Sequence, residues 1–166
     1  AGPPDASVLI HCPGGLAAMA KFELFGWGQN TVPQPGLNGR RGYQPRGKVL
    51  GGSSSINAMV YARGHRSDYD HWAAEGNPGW SFDEVLPYFK RAENNERGAD
   101  ALHGTGGPLN VKDLPTPNPF GPVFVQAAVQ AGFPANADFN GPEQEGVGMY
   151  QVTHRNGERC SAAKAY

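Results

Sequence analysis

Apolar positions along this chain come in short runs that Gly and Pro repeatedly interrupt. Leu16, Met19, Ala20 and Leu24 recur at near-helical spacing, which predicts a helix over 16–25 that Gly26 stops. Ahead of it, Ser7–Val8–Leu9–Ile10 is expected as a short strand ended by Pro13-Gly14-Gly15. Residues 31–39 carry turn chemistry and prolines that forbid a central strand, so this region is expected as an ordered, lid-like loop anchored by Trp27. Gly51-Gly52 and three serines predict a glycine-permissive turn opening a helix from about Asn57. A short helix is expected over 68–74, capped by Ser67 or Asp68. Ser81 and Glu84 have capping-box spacing and predict a helix over 83–93, with Val85, Leu86 and Phe89 on its apolar face and Pro87 near its tolerated start. Further on, the pattern predicts a strand at 109–111, an apolar helix over 121–132, a strand at 149–153, a hairpin turn at Asn156-Gly157 and a helix beginning at Ser161.

Composition explains the interruptions: 24 Gly and 15 Pro in 166 residues make a loop-rich chain, while 8 Phe, 6 Tyr and 3 Trp supply the area to pack it. The fold class expected is α/β, in the looser α+β sense. With 14 Lys+Arg against 15 Asp+Glu, the chain lacks the cationic excess that nucleic-acid binding needs. Its apolar runs fall short of the roughly 20 residues of a spanning helix, and the first residues lack a leader's basic and apolar regions. Cys12 and Cys160 are too few for a disulfide framework and fit a reducing compartment. The five His show no zinc-binding spacing, so no metal site is expected.

The sharpest local signal is Gly51-Gly52-Ser53-Ser54-Ser55. Lys48 precedes the glycines, so this is not a phosphate-binding loop of the nucleoside triphosphatases. Nor does the spacing match the nucleophile elbow of serine hydrolases. Taken alone, such a run is either a flexible turn or a place where backbone approaches a flat, phosphate-bearing cofactor.

The wider window decides more. Gly47 through Asn57, followed by Tyr61, Gly64 and Asp70, resembles the first signature of the glucose-methanol-choline flavin oxidoreductases. Other landmarks follow in that family's order: Thr31-Val32-Pro33-Gln34-Pro35 with Arg40, Trp72, Gly79-Trp80, His103-Gly104 with Gly107-Pro108-Leu109, and Arg159 with Ser161-Ala162-Ala163 and Ala165-Tyr166. Within the family, the bacterial choline-dehydrogenase-like alcohol dehydrogenases look most similar.

The resemblance implies part of an FAD-binding, dinucleotide-type domain plus the start of a substrate domain. Residues 1–108 would belong to the FAD-binding domain, 109–155 to the start of the substrate-binding domain, and 156–166 to the return. It implies oxidation of a small choline-like or other primary alcohol by hydride transfer to flavin N5. Arg46, Gly47, Gly51, Gly52, Ser53 and Ser54 would run beside the pyrophosphate and ribityl chain. Asn57, Ala58 and Val60 would face the flavin ring. Some relatives bind FAD covalently through a His at the position of Ile56, so FAD here is expected to be noncovalent.

Two departures shape the expectation. No glycine-rich dinucleotide fingerprint opens the chain, and the family's catalytic His falls beyond Tyr166. The chain is therefore expected to be an internal piece of a longer bacterial enzyme, inactive alone, with no catalytic residue of its own and with the remaining parts of that enzyme as partners. A cytoplasmic setting is expected, with membrane association left open. The alternative is a noncatalytic binding or scaffold module that retains the flavin motif. His65 and His71 are expected at the surface or in helix caps, and His103 is expected to order its loop.

Overall fold

The computed structural model describes residues 2–166. They pack as two units: the first runs up to Met59 and resumes with His154–Tyr166, and the second is Val60–Thr153. This division by packing falls at 59/60 and 153/154, whereas the functional boundary expected from the sequence stood at 108/109.

In the first unit, α1 (Val8–His11) replaces the strand expected at 7–10. Ser7 caps it by accepting from the Leu9 N–H at 3.3 Å. One helical turn is enough to bury Ile10 against Met19 and Val49, with Leu9, Leu24, Phe25 and Ile56 around them. α2 (Gly15–Lys21) packs directly on α1, because a side chain at Gly15 would collide with the Leu9 carbonyl. It ends four residues earlier than the periodicity predicts. Glu23 and Phe25 adopt positive φ (52° and 57°), which folds Leu24 and Phe25 back onto the small core. An arm follows, in which β1 (Gln29–Asn30) pairs antiparallel with β2 (Tyr43–Gln44). The unit resumes as the hairpin of β5 (His154–Arg155) and β6 (Glu158–Arg159). Asn156 and Gly157 supply its two positive-φ corner residues, and α6 (Ala162–Ala165) follows Ser161.

In the second unit, α3 (Arg66–Ala74) starts before the expected Ser67 or Asp68 cap, because His65 takes that role. The His65 ring accepts from the Ser67 N–H, and the Asp68 carboxylate accepts from the His65 N–H at 2.8 Å. α4 (Phe82–Ala92) opens as the capping pair predicts: the Ser81 N–H and hydroxyl both donate to Glu84. Pro87 lies well inside this helix rather than in its first turn, so Asp83 loses its usual i+4 donor. Tyr69 joins the two helices, with ring centroids 6.0 Å from Phe82 and 5.7 Å from Phe89. β3 (Glu93–Asn95) leaves α4 directly and runs parallel to β4 (Leu109–Val111), Glu93 facing Leu109. α5 (Phe120–Gln130) has no buried residue. The strand expected at 149–153 reduces to Val152, which bridges Val60 on one side and Lys112 on the other. Its neighbours are taken by side-chain interactions: Tyr150 stacks on Phe139 at 4.3 Å, and Gln151 hydrogen-bonds Asn95.

The first unit thus rests on a very small apolar cluster, and Ile10 is its fully buried member. Ile10→Ala is expected to cost about 2–5 kcal/mol. Urea denaturation of the natural protein checks this: a midpoint indistinguishable from wild type would show that the cluster does not hold the unit.

Candidate functional site

The glycine-serine segment of the first unit is a tight loop that ties itself shut. Gly51 and Gly52 both take positive φ (87° and 59°), and Gly52–Ser55 forms a single 3₁₀ turn. A Cβ at Gly47 would strike the Gly52 carbonyl, and one at Gly51 would press on Ser55 and Ala163. A Cβ at Gly52 would meet nothing within 4 Å, so at that residue the loop presents bare backbone to open space. The serines brace the turn. Ser53 Oγ accepts from the Gly47 N–H at 3.1 Å, Ser54 donates to the Gly51 carbonyl at 2.6 Å, and Ser55 donates to the Leu50 carbonyl at 2.9 Å. Trp27 anchors the approach through its indole N–H to the Gly47 carbonyl at 3.1 Å, with Lys48 Nζ 4.8 Å from its ring. Arg46 is exposed at the same rim.

The helix expected from Asn57 does not form. Ile56 has departed from helical geometry (φ −128°), Met59 is left-handed (φ 62°), and residues 58–65 form no helix. Two competitors explain this. The Asn57 side chain takes the Met59 N–H at 2.9 Å, and Arg159 takes the carbonyls of Ser54 and Asn57 that a continuing helix would use. Asn57 and Ala58 are left exposed on the first unit. Val60, which the sequence grouped with them, opens the second unit, is half exposed and bridges Val152.

Arg159 is the side chain that sequence reasoning missed. It is 1% exposed, yet among the described residues its guanidinium hydrogen-bonds only neutral acceptors. Nε donates to the Ile10 carbonyl at 2.9 Å, and Nη1 donates to Ser54 O (3.2 Å), Asn57 O (2.7 Å) and Asn57 Oδ1 (2.9 Å). Nη2 is buried and has no hydrogen-bond partner among the described residues. Burial pulls its pKa down, partly offset by the charge of Asp5, whose carboxylate accepts from Ser161 at 2.7 Å. Its place in the Arg159-x-Ser161 stretch was the available signal, but nothing local announces the contacts.

The second unit has its own buried polar centre. His103 lies between two carboxylates, Nδ1 at 2.9 Å from Glu93 and Nε2 at 2.8 Å from Asp138. Arg63 reaches Glu93 at 2.8 Å, and Asn95 hydrogen-bonds Glu93, His103 and Gln151. His103 thus orders its loop, as expected. Hydrogen bonding to Glu93 raises its pKa; burial opposes this, and the charge of Glu93 with the bond to Asp138 adds to the rise. Burial alone would raise Glu93, yet hydrogen bonds from His103, Gly104 and Asn95 with the Arg63 charge hold it below its ordinary value. Of the other histidines, His65 caps α3, His71 is exposed beside Glu75, His11 contacts Asp5, and His154 is buried against Met59 in the first unit. Among the described residues no cluster of three His, Cys, Asp or Glu side chains could hold a metal, and no helix is long and apolar enough to cross a membrane.

Comparison with known proteins gives one consistent result. A family profile described as GMC oxidoreductase matches residues 8–166. The oxygen-dependent choline dehydrogenase of Brucella anthropi is 49% identical over 165 residues, 99% of this chain and 30% of that protein. The enzyme of the same name from Sinorhizobium fredii is 48% identical over the same share. Among solved structures, pyridoxine 4-oxidase from Mesorbium loti superposes with a TM-score of 0.91 at 35% identity, covering all of this chain and 33% of its own. An FAD-dependent oxidoreductase from Chaetomium thermophilum gives a TM-score of 0.86 at 32% identity, with 31% of its chain covered. The chain thus spans about 30% of the length of the curated relatives it matches.

Two outcomes are expected from this geometry. Gly47→Ala drives a methyl into the Gly52 carbonyl and is expected to destabilise by roughly 1–3 kcal/mol, whereas Gly52→Ala, with open space but φ of 59°, costs about 1 kcal/mol. Urea midpoints that reverse this order would overturn the packing described. The second outcome is a pH dependence. His103, raised above 6.5, contributes stability that is complete below that pH and is lost as pH rises through its folded value. Glu93, held below 4.5, contributes stability that is present above that pH and is lost as pH falls through its folded value. Urea midpoints of wild type should therefore decline above pH 6.5, and His103→Gln should abolish that alkaline limb.

Proposed function

The chain belongs to the GMC oxidoreductase family, and on that premise we propose that it forms the FAD-facing part of an enzyme that oxidises a small alcohol. The observation that carries the proposal is the loop from Gly47 to Asn57, whose backbone is bare at Gly52 and whose register is set from behind by Arg159. This surface fits a dinucleotide. A glycine whose Cβ direction is open lets a flat, phosphate-bearing group come close, and Arg46, Lys48 and the buried Arg159 give the loop a cationic surrounding suited to a pyrophosphate.

In this reading, Arg46, Gly47, Gly51, Gly52, Ser53 and Ser54 line the pyrophosphate and ribityl side, and Asn57, Ala58 and Val60 face the ring. Ser54 and Ser55 spend their hydroxyl protons on backbone carbonyls, so the segment offers mainly its main chain. Ile56 has no nucleophilic atom, which makes the attachment noncovalent at this position. FAD, when bound, supplies the acceptor that takes a hydride from the alcohol carbon. Residues up to 108 are assigned to the FAD-binding part, 109–155 to the start of the substrate part and 156–166 to the return. The bonds from Arg159 to Ser54 and Asn57 support the last assignment. The alcohol is proposed to be a primary one of choline-like size, after the named relatives, and the rest of the enzyme would supply the base for the hydroxyl proton.

The test uses the purified protein at its natural length. It should show flavin absorption near about 450 nm, release FAD into the supernatant on acid precipitation, and bleach anaerobically with choline or a similar primary alcohol. Absence of flavin bands overturns the reading as a whole, and flavin retained by the acid pellet overturns the noncovalent part.

A further inference from the structure

We infer that Arg159 is the positioning residue of the flavin-facing loop: it locks the Ser54 and Asn57 carbonyls in one register and places a buried positive charge behind them that favours the reduced cofactor. The inference rests on the FAD reading above and goes further, because it assigns an electrostatic role to a side chain that faces away from the open surface.

The contacts argue for the locking. Four hydrogen bonds leave two nitrogens of one planar group and reach two separate stretches: Ile10 in α1, and the loop at Ser54 and Asn57 that follows the glycines. A lysine, with one point of attachment, cannot span these acceptors, whereas the guanidinium fork does so in a fixed geometry. Arg159 is itself held in register by the β5–β6 hairpin, and Ser54 Oγ accepts from the Ala162 N–H at 2.8 Å, which ties the same turn to α6.

The charge argument is separate. All four acceptors are neutral, and Arg159 is 1% exposed, so water screens its charge poorly. The carboxylate that acts on it through space is Asp5, whose Oδ2 is engaged by Ser161 and whose other oxygen lies 3.4 Å from His11 Nε2. When an alcohol is oxidised, a hydride leaves its carbon and a proton leaves its oxygen. FAD, when bound, would accept that hydride with its two electrons, and its ring would then carry a negative charge. A buried cation behind the segment facing that ring stabilises this charge and raises the electron affinity of the oxidised form.

The test is sulfite titration of the flavin in the natural full-length protein, with the rate of flavin release measured alongside. Sulfite donates its lone pair to flavin N5, forming an S–N bond and leaving the negative charge on the ring, so its affinity reads the local potential without turnover. Arg159→Met is expected to weaken sulfite binding about tenfold and to speed flavin release, and Arg159→Lys to keep the affinity within about threefold while still releasing flavin faster. Asp5→Asn removes the opposing charge and is expected to strengthen sulfite binding by about threefold. Should Arg159→Met fail to fold, the Lys and Asp5 variants decide. Sulfite affinity that is unchanged or lower in Asp5→Asn overturns the charge role, and flavin release in Arg159→Lys equal to wild type overturns the locking. A wild-type protein with no flavin removes the parent reading, and this inference with it.

Discussion

Each unit of this chain is organised around a guanidinium that water cannot reach, and the surrounding structure follows from satisfying it. A buried cation is tolerated only when its donors find acceptors in good geometry. Arg159 meets that demand through Nε and Nη1, with carbonyls from α1 and from the loop that runs from the 3₁₀ turn to Asn57, joining two stretches that share no strand ladder. Arg63 meets it differently, with the Glu93 carboxylate and the Leu102 carbonyl. Through Glu93 it joins His103 and Asp138, so alternating charges add to its one neutral acceptor.

The difference has chemical consequences. In the second unit the charges largely cancel: an arginine and a histidine face two carboxylates, and the result is a pH-sensitive structural centre. In the first unit the cation hydrogen-bonds only neutral acceptors among the described residues, so its field extends into the loop that presents bare backbone at Gly52. The same kind of residue therefore serves packing in one place and sets the local potential in the other.

Scarce regular structure is the other side of this arrangement. The ladders are two or three residues long and the apolar cluster of the first unit has three buried members. Side chains bonding to backbone take over much of the work of ladders, as the three loop serines, Asn57 and Asn95 illustrate. Such bonds compete with helix formation, which is why no helix follows the 3₁₀ turn although the residues there are compatible with one.

What the sequence determined by itself were the features whose cause is local. Residues within a few positions of one another dictate the Ser81–Glu84 cap, the Asn156-Gly157 corner, the positive-φ glycines at 51 and 52 and the β4 strand, and the width of the signature around them was enough to identify the family. Tertiary structure decided everything that needed a distant partner. Ser7 and the apolar Val8, Leu9 and Ile10 read as a short strand, and the burial of Ile10 against Met19 and Val49 chose the helix. Asn57 read as a helix start until Arg159, a hundred residues away, took the carbonyls that the helix required. Arg159 itself is an ordinary surface residue by composition, and only the return of the chain to the first unit turns it into a buried charge. Short-range propensities are weak, of the order of 1 kcal/mol, so a single buried charge with its hydrogen bonds outweighs them.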